Sequence, residues 1–292
     1  MHVAFIGFGL IGGSIARAVR TGEAGRGWTM SAWSPSGRGP GAALADGTID
    51  HAATTPERAL VDADLIVLAG PPTACLSALG DLAGRWSSSL RPGSVVTDVA
   101  STKAALVARA DAAGLRFVGG HPMAGLDASG YEAGRADLFV DRPWVIVPGQ
   151  VANRSDVERV TALVGACRAR AVLMDGPTHD EAVAGISHLP LILATALAEA
   201  VVGSPGALRD DWPTASGLAA SGWRDMTRLA RGDPAMGAGI VVTNAAVLAD
   251  RLRDLQARLD AWRIELERPG GPDEAAILER MRSARESLGN PS

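Results

Sequence analysis

The chain has 292 residues, of which 47% are hydrophobic and 21% charged, with a formal net charge of −4. Two globular domains of ordinary size fit that length, and the even spread of positive residues leaves no electrostatic footprint for nucleic acid or an anionic membrane surface. The two cysteines, Cys75 and Cys167, lack any Cys-x-x-Cys or Cys/His spacing, so neither a disulfide framework nor a metal site is expected, and both read as small buried hydrophobes.

In chain order, short β-branched or apolar runs alternate with helix-length amphipathic segments. Strands are predicted near residues 2–7, 29–33, 64–69, 94–98, 116–119, 143–147 and 170–174, and crossover helices over 11–20, 57–61, 73–83 and 102–112. The alternation predicts an α/β Rossmann-type domain, a doubly wound parallel sheet covered by helices. After Asp175 the strand signals stop. Helices rich in Ala and Leu are predicted over 178–202 and 238–267, with Gly/Pro/Ser breaks at 203–206 and 212–217.

The expected organisation is a dinucleotide-binding domain over 1–175 followed by an all-helical C-terminal domain over 176–292. The apolar faces of the second half exceed what a small helical domain buries by itself, which points to a homodimer formed through that domain. The N-terminal run MHVAFIGFGLIGG has no basic leader or cleavage site. No apolar run approaches the roughly 20 residues of a membrane-spanning helix, the longest being ISHLPLILATALA. A cytoplasmic protein with no membrane partner is expected.

Gly7-Phe8-Gly9-Leu10-Ile11-Gly12 follows a predicted strand and opens a predicted helix, the context in which Gly-x-Gly-x-x-Gly binds a dinucleotide. Gly7 permits the tight turn, Gly9 lets the backbone approach a pyrophosphate, and Gly12 allows close helix–strand packing, while the helix N-terminus at Leu10 and Ile11 offers N–H groups to phosphate. The second strand runs into Ser34-Pro35-Ser36-Gly37-Arg38 with no carboxylate for a ribose. Hydroxyls at Ser34 and Ser36 with Arg38 suit a 2′-phosphate, so the cofactor is NADP or NAD with a lean to NADP; Arg38 as a solvated loop residue remains the other reading. Pro71 and Pro72 shape the end of the third strand, at the cofactor edge.

Two further strand ends carry polar chemistry: Thr97-Asp98-Val99-Ala100-Ser101-Thr102-Lys103, and Gly119-Gly120-His121-Pro122-Met123-Ala124-Gly125. Both fall at the carboxyl edge beside the cofactor crevice. His121, flanked by Gly-Gly and Pro, has the near-neutral pKa that abstraction of a hydroxyl proton during hydride removal requires, and its ring is expected to meet Ser101 across the cleft. A loop-organising histidine is the competing reading of His121 alone. Lys103 reads as a surface lysine at a helix start, and Trp144 as core.

GFGLIGGS, TDVASTK, GGHPMAG, LFVDRPWVIVPG, ISHLP and GWRDMTRLARGDP occur in that order, in a stretch of similarity that runs from residue 3 to about residue 265. The ordered set resembles the prephenate/arogenate dehydrogenases, the cyclohexadienyl dehydrogenases of tyrosine biosynthesis. The resemblance implies an oxidative decarboxylation: hydride leaves ring C4 of a cyclohexadienyl substrate for NAD(P), the C4 hydroxyl gives up its proton, and the C1 carboxylate leaves as CO2. It implies His121 as partner of that hydroxyl and Ser101 as a hydrogen-bonding neighbour. It further implies Arg228 as the guanidinium that binds a substrate carboxylate, His188 near the substrate, and Arg224 with Asp225 in the same polar wall. No metal is required.

Several relatives read HPMAGT followed by Glu where this chain has Leu126 and Asp127, many carry a histidine where Leu191 stands, and some a Trp at Gly237. These departures leave the side-chain preference open between prephenate and arogenate; Asp127 would attract the ammonium of arogenate, and 4-amino-4-deoxyprephenate is a further possibility. Other readings are a β-hydroxyacid dehydrogenase or imine reductase, and a non-catalytic dinucleotide sensor. No lysine follows Asp175, which counts against the lysine-based chemistry of the first. With no chorismate mutase or regulatory segment in view, any feedback by tyrosine is expected to act by competition.

Overall fold

The computed structural model describes residues 1–126 and 128–289, which form two compact units, 1–247 and 248–292. In the first unit, strands β1 (His2–Ile6), β2 (Thr29–Trp33), β3 (His51–Ala52), β4 (Leu65–Leu68) and β5 (Val95–Asp98) form a sheet in the order β3-β2-β1-β4-β5, every pairing parallel. Side chains alternate across such a sheet. Val3 and Phe5 accordingly enter one core with Ile15, Val19, Val160 and Leu163, while Ala4 and Ile6 enter another with Leu79, Leu82, Leu106 and Ala110. The first core lies under α1 (Leu10–Thr21), α2 (Arg38–Ala45) and the later helix α6 (Arg154–Ala166). The second lies under α3 (Pro56–Leu60), α4 (Pro72–Ala83) and α5 (Ala104–Ala112). Helices on both faces make the domain doubly wound, with the carboxyl ends of β1, β4 and β5 on one edge.

A second sheet, β6 (Val118–Pro122), β7 (Pro143–Pro148) and β8 (Arg170–Leu173), continues from the first through a parallel bridge between Val96 and Phe117. Here the expectation of an all-parallel sheet is corrected, because β7 runs antiparallel to β6. Among the described residues the connection between them holds a short helical turn at Tyr131–Ala133 and no crossover helix, which a parallel pairing needs. The two-residue strand β3 was not predicted; two residues carry no periodicity.

After β8 the chain is helical: α7 (Gly176–Val183), a five-residue π turn (Ala184–His188), α8 (Leu189–Val202), α9 (Trp212–Gly217), α10 (Ser221–Thr227) and α11 (Pro234–Thr243). The exception is a hairpin of β9 (Gly203–Ser204) with β10 (Ala207–Leu208), whose glycines Gly203 and Gly206 take φ of 88° and 85°. Asp175 caps α7 by accepting from the Thr178 N–H at 2.8 Å. The predicted single helix over 178–202 is widened at the π turn because Pro190 has no N–H for the carbonyl of Ile186. The run Gly176–Val202 is nevertheless 27 residues of unbroken helix, long and apolar enough to cross a membrane by length and composition. That corrects the expectation that no apolar run reaches such a length. Three of its polar residues are buried, His179 at 1%, Asp180 at 2% and His188 at 0% exposure, while Glu181, Ser187, Thr195 and Glu199 are exposed.

The second unit holds most of α12 (Ala245–Leu266) and all of α13 (Glu274–Leu288). Asp273 caps α13 through the N–H groups of Ala275 and Ala276, and Arg280 lies over the Trp262 ring at 4.1 Å from its centroid, an exposed contact worth roughly 0.5–1 kcal/mol.

Candidate active site

At the end of β1 the chain turns sharply into α1. Gly7 has φ of 89°, and a Cβ there would stand 2.8 Å from the backbone of Ala69, so only glycine fits. A Cβ on Gly9 would meet nothing within 4 Å: the space over Gly9, where a pyrophosphate would approach, is open. No side chain caps α1, which leaves the N–H groups at Leu10 and Ile11 for an anion. At the end of β2, the Ser34 hydroxyl is buried with no hydrogen-bond partner among the described residues. Gly37, with φ of 65°, precedes α2, where Arg38 is exposed and its N–H reaches the Ser36 hydroxyl at 3.4 Å. Pro71 stands just before α4 and makes no side-chain cap there. An open cradle, an uncapped helix and an orphan hydroxyl fit a dinucleotide.

The ends of β5 and β6 are bound together by buried charge. Asp98, at the last residue of β5, accepts from the Gly120 N–H at 3.0 Å and the Ala100 N–H at 2.9 Å, and forms an ion pair with the Lys103 ammonium. Lys103 is 0% exposed, which corrects the surface reading of that residue; its aliphatic stem lies against Gly119. Burial pushes the Asp98 carboxyl above its ordinary range, with Lys103 and the two N–H groups acting in opposition. Gly120 has no room for a side chain, since a Cβ would stand 2.6 Å from the Asp98 carbonyl and 2.9 Å from the Trp144 indole nitrogen. Trp144 is core, 1% exposed and packed on Phe139.

His121 follows Gly120 and is 8% exposed. Its Nδ1 lies 2.8 Å from Nε2 of His179, and Nδ1 of His179 lies 2.8 Å from the Asp180 carboxylate. Asp180 also accepts from the N–H groups of Lys103 at 2.7 Å and Ala104 at 2.9 Å, so it caps α5 from α7. Asn244 donates to the Asp180 carbonyl at 2.9 Å and lies 3.2 Å from Nδ1 of His188. Because the Asp180 carbonyl can only accept, the Asn244 nitrogen is a donor, His188 Nδ1 is the acceptor, and the His188 proton sits on Nε2. That buried nitrogen has no partner among the described residues.

Burial, then His179, Lys103 and His188, hold His121 well below the ordinary histidine value. Burial likewise lowers His188 to about 4; Asp180 and the nearby Ser101 backbone work against this and His179 with it. Both rings are therefore neutral at pH 7. A histidine that stays neutral in the fold takes its proton first in the unfolded chain, so stability is full above about pH 6.5 and falls as pH drops toward the folded values. By pH 5 the loss is about 2 kcal/mol for His188, and His121 adds to it in the same direction. Urea unfolding at pH 7.5 and pH 5 measures it; equal midpoints would show that these rings are not held neutral.

Ser101 is half-buried beyond β5. The expected contact with His121 is not formed; the ring bonds His179 instead. Arg224 is exposed on α10, and Arg228 is exposed at the turn Arg228–Arg231, which packs on α8. Asp127 lies outside the described residues. The departures at Leu191 and Gly237 are neighbours, since a Cβ on Gly237 would stand 3.6 Å from the Leu191 side chain. His179, Asp180, Asn244 and the Asp98–Lys103 pair escaped the sequence reading. A His-Asp dipeptide at the start of an otherwise apolar helix was the available signal. Both cysteines are buried, with thiols pushed up to about 12 by burial, as inert structural groups.

Two family descriptions match the chain: prephenate dehydrogenase, nucleotide-binding domain, over residues 15–173, and prephenate dehydrogenase, dimerization domain, over residues 175–282. A prephenate dehydrogenase of Bacillus subtilis is 31% identical over 289 residues, 98% of this chain and 76% of that relative. Synechocystis arogenate dehydrogenase superposes with a TM-score of 0.75 at 29% identity, covering 99% of this chain and 100% of that one. Prephenate dehydrogenase from A. aeolicus, in complex with hydroxyphenyl propionate and NAD+, superposes with a TM-score of 0.82 at 24% identity over 99% and 98% of the two chains, a likeness of fold.

Proposed function

The chain belongs to the prephenate dehydrogenase family, and from that premise we propose that His121 is the proton acceptor in oxidative decarboxylation of prephenate or arogenate. The enzyme is an NAD(P)-dependent dehydrogenase whose products are 4-hydroxyphenylpyruvate or tyrosine, and CO2. One observation carries the reading: a neutral, buried histidine at the carboxyl edge of the sheet, tied down at Nδ1 so that Nε2 is the nitrogen left for the substrate. The bound nicotinamide would supply the hydride acceptor. His121 Nε2 takes the C4 hydroxyl proton as the C4 hydride departs; the C1–carboxylate bond then breaks, its electron pair enters the ring, and the proton returns to the C4 oxygen. Aromatisation supplies the driving force, so the protein's part is alignment and one proton.

For the substrate, the Arg228 guanidinium suits a planar carboxylate, with Arg224 and Asp225 in the same polar wall and Ser101 at the reacting edge, and the charge of Asp127 would attract the ammonium of arogenate. His188 offers a buried Nε2–H that a substrate oxygen would satisfy; leaving such a donor unpaired costs about 1–3 kcal/mol. For the cofactor, Ser34, Ser36 and Arg38 favour the 2′-phosphate of NADP over NAD, and Gly7, Gly9, Leu10, Ile11, Gly12 and Pro71 cradle the rest. We place the cofactor domain in 1–175 and the substrate domain in 176–292. A homodimer through the helical half is supported by the dimerization-domain match and by exposed Ile186, Leu218, Met226 and Val242. A cytoplasmic setting suits a small-molecule biosynthetic enzyme with no nucleic-acid or membrane partner.

Initial rates at the reduced-nicotinamide absorbance band, crossing prephenate and arogenate with NAD and NADP, test the reading. Growth with at least one substrate, faster with NADP, is expected. Silence in all four mixtures would overturn the activity, and equal or faster rates with NAD would overturn the cofactor preference.

A further inference from the structure

We propose that Asp180, acting through His179, is a positioning residue that fixes the tautomer of His121 and supplies the counter-charge for the cation His121 becomes during turnover. The chemical half rests on the dehydrogenase reading above; the tautomer half rests on geometry alone.

The proton count comes first. Three donors converge on the Asp180 carboxylate: the N–H groups of Lys103 and Ala104, and Nδ1 of His179. A carboxylate that accepts three bonds is ionised and acceptor-only, so a neutral His179 carries its one proton on Nδ1 and presents a bare Nε2. The 2.8 Å contact from that Nε2 to His121 Nδ1 then requires a proton on His121 Nδ1. His121 is left with an unprotonated Nε2, the nitrogen that must receive the substrate's proton. One buried carboxylate thus sets the proton positions of two imidazoles, as an aspartate behind a catalytic histidine does elsewhere with one.

The charge count follows. The ionisable groups packed around His121 are Asp98 from β5, Lys103 from the start of α5, His179 and Asp180 from α7, and His188 from the π turn. Asp98 and Lys103 neutralise one another, and His188 is neutral. Asp180 is 2% exposed, yet its partners are two backbone N–H groups and an imidazole. A buried anion without a cationic side chain is expensive to hold. It becomes an asset when a proton arrives on His121, because the positive charge, shared through the His121–His179 bond, then lies beside a carboxylate already in place. Burial, His179, Lys103 and His188 all oppose that cation; the Asp180 carboxylate behind His179 is placed to offset them.

The test uses histidine-labelled full-length enzyme. Long-range 15N–1H correlation spectra should show His121 in the Nδ1–H form. Asp180→Asn should mix its tautomers, lower kcat about 10–100-fold with KM and dinucleotide affinity little changed, and move the acid limb of the rate profile to lower pH, since a negative charge is gone. His179→Gln, whose amide can accept from His121 and donate to Asp180, should keep the Nδ1–H form and most of the rate. If Asp180→Asn does not fold, because Asp180 also caps α5, His179→Phe removes the acceptor without touching that cap and should mix the tautomers in the same way. An Nε2–H form in the unmodified enzyme would overturn the proposal. So would an unmoved tautomer and acid limb in Asp180→Asn, or an unmoved tautomer in His179→Phe. Failure of every cyclohexadienyl substrate would instead strike the dehydrogenase reading, and the spectra would still decide this one.

Discussion

Replacing His121 with Asn lowers turnover by roughly 10²–10⁴-fold while dinucleotide binding persists. The asymmetry follows from where the ring is anchored. The Asn side-chain nitrogen can donate to Nε2 of His179 much as His121 Nδ1 does, so the bond that holds the position survives, whereas nothing in Asn replaces the basic Nε2. The cradle around Gly7 and Gly9 belongs to β1 and α1 and is untouched. Since His121 lies well below the ordinary histidine value, the acid limb of kcat/KM in the unmodified enzyme falls below about pH 6.5, and the variant's residual rate lacks that limb. Single-turnover absorbance and dinucleotide titration by tryptophan fluorescence measure the two quantities separately. Undiminished turnover in the variant would remove His121 from the chemistry.

The parts of this protein that follow from local physics were legible in the amino-acid order. β1 and the turn into α1 are coded within a dozen residues, by an apolar run, by Gly7, where a Cβ has no room, and by Gly9, over which the space is open. His121 stood out because Gly-Gly and Pro exclude a helical core role. The parts that were missed depend on what packs against what. Lys103 looked solvent-facing because a lysine at a helix start usually is; its burial follows from Asp98 across the strand–helix loop and from α7 laid over it. His179 meets His121 across 58 residues of sequence, and no periodicity encodes such a contact. The reversal of β7 was hidden for a similar reason, since strand direction is set by the missing crossover and leaves no mark in the strand itself. The helix over Gly176–Val202 was legible through Pro190, but the π turn that carries it past that residue was not, since it follows from a carbonyl left without an N–H.

Lys103→Met is expected to destabilise the fold by about 3–5 kcal/mol, because it leaves Asp98 as a buried anion without its cation. For a chain of this size that corresponds to roughly 10 °C in Tm. Methionine matches the stem that packs on Gly119, so the loss reports charge rather than volume. The deficit depends on pH in a definite direction. Burial already raises the Asp98 carboxyl, and without Lys103 it rises further, so the folded variant binds a proton that the unfolded chain releases near pH 4. Stability of the variant relative to the unmodified protein is therefore best in acid and declines as pH rises through that window. Adding Asp98→Asn removes the orphaned charge, and the double variant should recover most of the loss, because replacing both partners avoids the unpaired ion that replacing one creates. The same anion holds the Gly120 N–H, one residue before His121. A single variant that melts as the unmodified protein does would mean that the strand ends carrying the active site are braced by something other than this pair.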